Sequence, residues 1–168
     1  VCSVKLLPCE WMLEGLPDNI DIIATHPMFG PDSYSSGLNT DLQIMLYSLR
    51  SISNNSSYKL WLEFFISKKL NILEITPDEH DRHVAFSQGV THLIGRILDK
   101  MNLDKYSNFD SDKKIKPVTK GFESLMQVKE QTCHDSIDLF HDMMSFNPHA
   151  KKMLASFNLS LKEVFAFF

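Results

Sequence analysis

His26 closes an apolar run, Ile20-Asp21-Ile22-Ile23-Ala24-Thr25, and Pro27, Gly30 and Pro31 follow at once. A short apolar run bounded by turn formers reads as a core strand of an α/β sheet, and ligands of such sheets bind beyond the carboxyl ends of the strands. An imidazole placed there suits proton removal from a hydroxyl while hydride leaves the same carbon, because its proton affinity lies near neutrality. The alternative for a lone histidine is a structural one, capping the turn. A second polar group recurs at helical spacing: Gln88, His92, Arg96 and Asp99 lie opposite an apolar face of Phe86, Val90, Leu93, Ile97 and Met101. Such a stripe is either a solvated face or the wall of a pocket. Ala85, Gly89 and Gly95 beside it favour the pocket. An interior glycine costs a helix about 1 kcal/mol relative to alanine, which makes sense where a backbone or a ligand comes close.

Other residue types offer less. His80 and His83 are three apart, and His134 and His141 are two turns apart. Neither pair has the HExxH or finger spacing of a metal site, so they read as surface histidines and no metal is expected. The six glycines form no GxGxxG phosphate loop. Cys2, Cys9 and Cys133 are odd in number and lack paired metal spacing, which fits thiols in a reducing compartment: the cytoplasm, or a plastid in a plant.

The elements that position these residues follow from periodicity and turn chemistry. Residues 1–5 read as the end of a strand, 6–16 as a short helix or crossover, and 20–25 as the strand leading into His26. Residues 31–41 read as a loop and 43–49 as a further strand. A helix over 57–68 has an apolar face of Leu60, Trp61, Phe64 and Phe65, and 71–75 is a last short strand. Thr76-Pro77-Asp78-Glu79 then forms a capping box with Pro at the first helical position. The helix it starts is expected to run to about 101. A polar connector over 102–116, a second long helix over 119–145, a third from Pro148 and a short last one over 160–167 complete the chain. The predicted fold class is therefore α/β plus all-α: the second half of an open α/β sheet over 1–76, then an all-helical domain over 77–168.

Composition narrows the function. With 168 residues and 43% hydrophobic content the chain can bury a real core. A net charge of −4 argues against a nucleic-acid partner, and no apolar run nears the ~20 residues that span a bilayer. The chain opens on Val1, already in an apolar run, and so reads as a piece of a longer protein.

The residues match a known family in order. Ser3-Val4-Lys5, His26-Pro27-Met28-Phe29-Gly30-Pro31-Asp32-Ser33, Thr76-Pro77-Asp78-Glu79-His80-Asp81 and Ala85-Phe86-Ser87-Gln88-Gly89-Val90-Thr91-His92 resemble prephenate and arogenate dehydrogenases of tyrosine biosynthesis. Thr119-Lys120-Gly121-Phe122-Glu123, Asp135-Ser136-Ile137-Asp138-Leu139-Phe140 and Asn147-Pro148 continue the resemblance to nearly the whole chain. It implies the second half of a Rossmann-type nucleotide-binding domain and a helical domain that binds substrate and forms a homodimer. It also implies an NAD- or NADP-dependent oxidative decarboxylation of prephenate or arogenate. The chain alone is expected to be inactive, its glycine loop lying upstream.

The resemblance further implies site residues. His26 would bond the ring C4 hydroxyl, and Ser3 would bond this histidine near the nicotinamide, with Pro27 beside it. His92 and Gln88 would meet a substrate carboxylate. Lys120 stands near the start of the second long helix, where many bacterial members have an arginine, and lacks that residue's bidentate fork. Asp32 would meet the amino group that arogenate has and prephenate lacks. The alternative function is a non-catalytic helical dimerisation remnant of such an enzyme.

Overall fold

The computed structural model describes residues 2–30, 42–106 and 117–168. The chain divides into two compact units, Val1–His83 and Val84–Phe168. The division falls at 83/84, so the helix that the capping box starts belongs largely to the first unit.

In the first unit, α1 (Leu6–Gly15) precedes a three-stranded sheet of β1 (Ile22–Pro27), β2 (Gln43–Arg50) and β3 (Asn71–Leu73), with α2 (Ser56–Ser67) between β2 and β3. β1 pairs antiparallel with β2, Ala24 opposite Tyr47 and His26 opposite Met45, while β2 pairs parallel with β3. Ile22, Ala24 and His26 point inward in strict alternation, so His26 lies within the strand and on its buried face. Cys9 of α1 packs with Ala24 and Met45 to form the core, flanked by Met12, Tyr47, Leu49 and Ile75. Asp21, ahead of β1, accepts hydrogen bonds from the backbone N–H of Ile52 and Ser53 and from the hydroxyls of Ser53 and Ser57. These bonds hold its carboxyl well below the usual carboxylate range and tie the start of β1 to the start of α2.

Two expectations change here. Residues 3–5 form no strand; their chain runs irregularly into α1, and the Lys5 N–H bonds a side chain instead of a neighbouring strand. α2 buries none of its residues: Leu60, Trp61 and Phe64 are exposed, and Trp61 and Phe64 meet in an aromatic cluster with Phe65. The loop expected over 31–41 and the side chain of Asp32 lie outside the described residues.

α3 (Pro77–Val84) opens on the predicted capping box. Thr76 Oγ1 accepts from the N–H of Glu79, whose carboxylate accepts from the N–H and hydroxyl of Thr76. The expected uninterrupted helix to 101 is not observed. A π-helical turn over Ala85–Gly89 intervenes before α4 (Val90–Lys100), and such turns are frequent at functional positions.

The second unit is helical throughout its described residues: the π turn, α4, a 3₁₀ turn (Leu103–Tyr106), α5 (Lys120–Cys133), α6 (Ile137–Phe146) and α7 (Ala150–Phe165). The helix expected over 119–145 is two helices, because Ser136 caps α6 by accepting from the N–H of Leu139. The two terminal helices expected from 148 are one, since nothing within Ala150–Phe165 breaks it. α4 and α5 pack closely at Gly95, where a Cβ would fall 1.8 Å from Thr132 Oγ1. Gly95 thus answers to a neighbouring helix. A Cβ at Gly89 would lie 3.4 and 3.8 Å from the Met153 and Met144 side chains, ordinary contact distances. Within the polar stripe His92 is buried and Gln88 and Arg96 are half-buried, while Phe86, Ile97 and Met101 of the apolar face are exposed and Val90 and Leu93 half-buried; Asp99 is exposed.

Candidate functional site

In the first unit the structure builds a network that begins at the N-terminus of α1. The first N–H groups of a helix lack partners within it and favour an anion. Asp81 of α3 supplies one: its Oδ1 accepts from the Lys5 N–H at 2.7 Å and its Oδ2 from the Leu6 N–H at 2.8 Å. His80 Nδ1 lies 2.8 Å from Asp81 Oδ1, and His80 Nε2 lies 2.7 Å from His26 Nδ1. Asp81 and His80 are 0% and 1% exposed, so no solvent competes for these bonds.

Directionality fixes the protons. A carboxylate accepts only, so His80 donates from Nδ1, and as a neutral imidazole it accepts at Nε2. His26 must then donate from Nδ1, and its Nε2 carries the lone pair. The arrangement presents an imidazole oriented by a second imidazole, itself oriented by a carboxylate. Its chemistry is that of a proton acceptor held in one tautomer.

The electrostatics keep His26 neutral. Burial lowers its pKa to about 3, helped by the positive charge of Lys5 and by His80 and opposed by Asp81. The near-neutral proton affinity expected from sequence is thereby corrected. Lys5 is 2% exposed; its ammonium bonds the Cys2 carbonyl, and burial lowers its pKa as well.

His80 and Asp81 are absent from the site expected from sequence, which treats His80 as a surface histidine. A signal was present: Asp81 precedes Val84 on the helical period of a buried face. Ser3 is half-buried and makes no hydrogen bond with His26 among the described residues. Pro27 follows His26 on the opposite side of β1.

In the second unit, Gln88 of the π turn and His92 of α4 stand one helical turn apart. Among the described residues neither buried Gln88 Oε1 nor buried His92 Nδ1 has a hydrogen-bond partner. His92 Nε2 faces Asp135 Oδ2 at 3.8 Å, and its ring lies parallel to that of Phe140, 6.5 Å between centroids. Burial lowers its pKa, Asp135 opposing and Arg96 assisting. Lys120 is fully solvated at the start of α5, its ammonium 2.7 Å from Glu123 Oε2, which raises its pKa.

Comparison with known proteins follows from this geometry. The family described as TYRAAT1-like, C-terminal domain, matches residues 112–166. The chain is 34% identical, over 98% of its length, to arogenate dehydrogenase 1, chloroplastic, of Arabidopsis thaliana, and covers 24% of that protein. It therefore spans about a quarter of that relative's length. Its fold is shared with the crystal structure of Synechocystis arogenate dehydrogenase, at a TM-score of 0.62 and 17% identity over 99% of this chain and 59% of that one. A second structure, prephenate dehydrogenase from A. aeolicus in complex with hydroxyphenyl propionate and NAD+, gives a TM-score of 0.59 at 15% identity, over 96% of this chain and 55% of that one.

Proposed function

We propose that this chain, a homologue of the arogenate and prephenate dehydrogenases, carries the proton-accepting part of an oxidative decarboxylation performed by a longer protein. The observation that carries this reading is the buried His26–His80–Asp81 network, which leaves one imidazole nitrogen able only to accept. The substrate would be arogenate or prephenate. As hydride departs from the ring C4, the C4 hydroxyl becomes a protonated carbonyl, a far stronger acid than an alcohol. Even a weakly basic imidazole then takes its proton, at His26 Nε2. The bond between the ring and its carboxylate breaks, CO2 leaves, and the released electron pair completes the aromatic ring.

NAD or NADP, when bound, is the hydride acceptor in this chemistry. Among the described residues none forms a seat for its pyrophosphate. The sequence has no GxGxxG phosphate loop. The first unit would be the second half of the nucleotide-binding domain, with Ser3 and Pro27 on the nicotinamide side. In the second unit, His92 and Gln88 would receive a substrate carboxylate, their unpartnered buried atoms supporting that role. Lys120 would act as a solvated point charge, and Asp32 would face an amino group if the substrate has one.

Homodimerisation belongs to the same proposal. Leu159, Val164 and Phe165 of α7 are exposed, as an interface between copies would require. Among the described residues no helix is long and apolar enough to cross a membrane. The expected compartment is the cytoplasm or a plastid, the Arabidopsis relative being chloroplastic by name.

A steady-state assay of the full-length protein with arogenate and prephenate, each with NAD+ and NADP+, tests this reading. Turnover of either substrate supports it. Absence of turnover in all four combinations overturns it and favours a non-catalytic remnant.

A further inference from the structure

Three buried polar atoms without partners occur on one stripe of the second unit: Gln88 Oε1, His92 Nδ1 and Arg96 Nε. The residues are four apart, so the atoms follow one another turn by turn along one side. Buried polar groups are paired in the great majority of cases, so a run of three calls for a polar partner from outside the chain, water or ligand. Arg96 is the informative member. Its Nη2 donates to the carbonyls of Asp135 at 2.6 Å and Ser136 at 3.2 Å, in the turn between α5 and α6. Its guanidinium also lies over the Phe140 ring, 5.9 Å from the centroid, and the other face-to-face neighbour of that ring is His92.

The guanidinium is therefore fixed at one edge and by one face. It forms no ion pair among the described residues, because the groups that hold it are neutral carbonyls and an aromatic ring. A partly buried positive charge so arranged, its buried Nε–H without an acceptor among the described residues, favours an anion. Lys120 has its ammonium on Glu123, 2.7 Å away.

We propose that Arg96 supplies the positive charge for the substrate's side-chain carboxylate, the one that hydroxyphenyl propionate shares, its Nε–H donating to a carboxylate oxygen beside His92. This rests on the reading that a carboxylated ring compound is the substrate, and it adds a specificity-determining residue to that site.

The test compares two probes by calorimetry on the full-length protein: hydroxyphenyl propionate, which has a carboxylate, and ethylphenol, which does not. Wild type binds the carboxylated probe more tightly. Arg96→Met weakens that probe by about 10- to 100-fold, the usual worth of a charge-assisted hydrogen bond, and leaves ethylphenol nearly unaffected. Arg96→Lys restores only part of the preference, because an ammonium cannot keep both the carbonyl anchor and the Nε contact. Equal weakening of both probes would assign Arg96 to holding the α5–α6 turn alone and would overturn the proposal. So would a carboxylate preference that survives in Arg96→Met, or one that wild type lacks. Thermal unfolding of each variant shows whether the fold is kept. Turnover of arogenate or prephenate by the wild-type preparation is scored separately, so failure of the dehydrogenase reading is distinguishable from failure of the Arg96 assignment.

Discussion

Asp81 is the residue from which the proton positions at His26 are set. Both of its oxygens are occupied by N–H donors of α1, so what it offers His80 is a lone pair. Asp81→Asn would remove the charge and set an NH2 against either the Lys5 or the Leu6 N–H, so the group that orients His80, and through it His26, is lost or displaced. We expect kcat of the full-length protein to fall by about two to three orders of magnitude, the scale of losing an oriented base. A steady-state assay measures it, and nitrogen chemical shifts of the His26 ring report the tautomer independently of any loss of stability. A pH dependence follows from the same burial. His26 titrates at about 3 in the folded chain against an ordinary 6.5, so the unfolded chain binds the extra proton between those values. The stability this group confers is complete above pH 6.5 and is lost as pH falls toward 3, at no more than about 1.4 kcal/mol per pH unit. Urea midpoints measured across this window should fall more gently for His26→Asn than for wild type; identical slopes would contradict the assignment.

The candidacy of His26 was legible because the alternation Ile22, Ala24, His26 lies within six residues of chain. The orienting partners were not, since the His26–His80 bond spans 54 positions and the Lys5–Asp81 bond 76. Local pattern carries no information about such pairs.

At the scale of elements, the contact of α4 with α5 depends on the absence of one carbon. Gly95→Ala would drive a methyl group into the Thr132 hydroxyl, which is itself tied to the Val128 carbonyl at 2.8 Å. We expect a loss of about 1–3 kcal/mol, the usual scale of overpacking, read as a lower thermal midpoint. Thr132→Ala in the same background should recover part of it, because the two residues share one clash. Gly95 read from sequence as a site of close approach, and that is what it is; the approaching group is a threonine of the next helix. Periodicity located the two faces of α4 but not which of them the chain covers. A moment along a helix gives the direction of apolar residues, whereas burial depends on what packs there. The break at His134–Ser136 escaped for a related reason. Its signal is a single N-cap serine inside a helical period that continues on either side.

At the scale of the whole molecule, two compact units each supply part of the proposed chemistry: an oriented proton acceptor in the first and a polar stripe with unpartnered donors and acceptors in the second. The division into an α/β and an all-helical part was legible because the period of the apolar residues changes from two to 3.6 near Thr76. The boundary itself, at His83, was not, since α3 opens with a strong helix cap yet contributes its first residues to the sheet unit. The chain covers about a quarter of its Arabidopsis relative, so the account must be tested in the full-length protein. The most direct measurement is kcat of His26→Asn beside wild type, with whichever of arogenate or prephenate and NAD+ or NADP+ supports turnover. Asparagine keeps a donor for His80 but has no lone pair of comparable basicity to take the hydroxyl proton. The account predicts a fall of about two to four orders of magnitude; turnover comparable to wild type would contradict it.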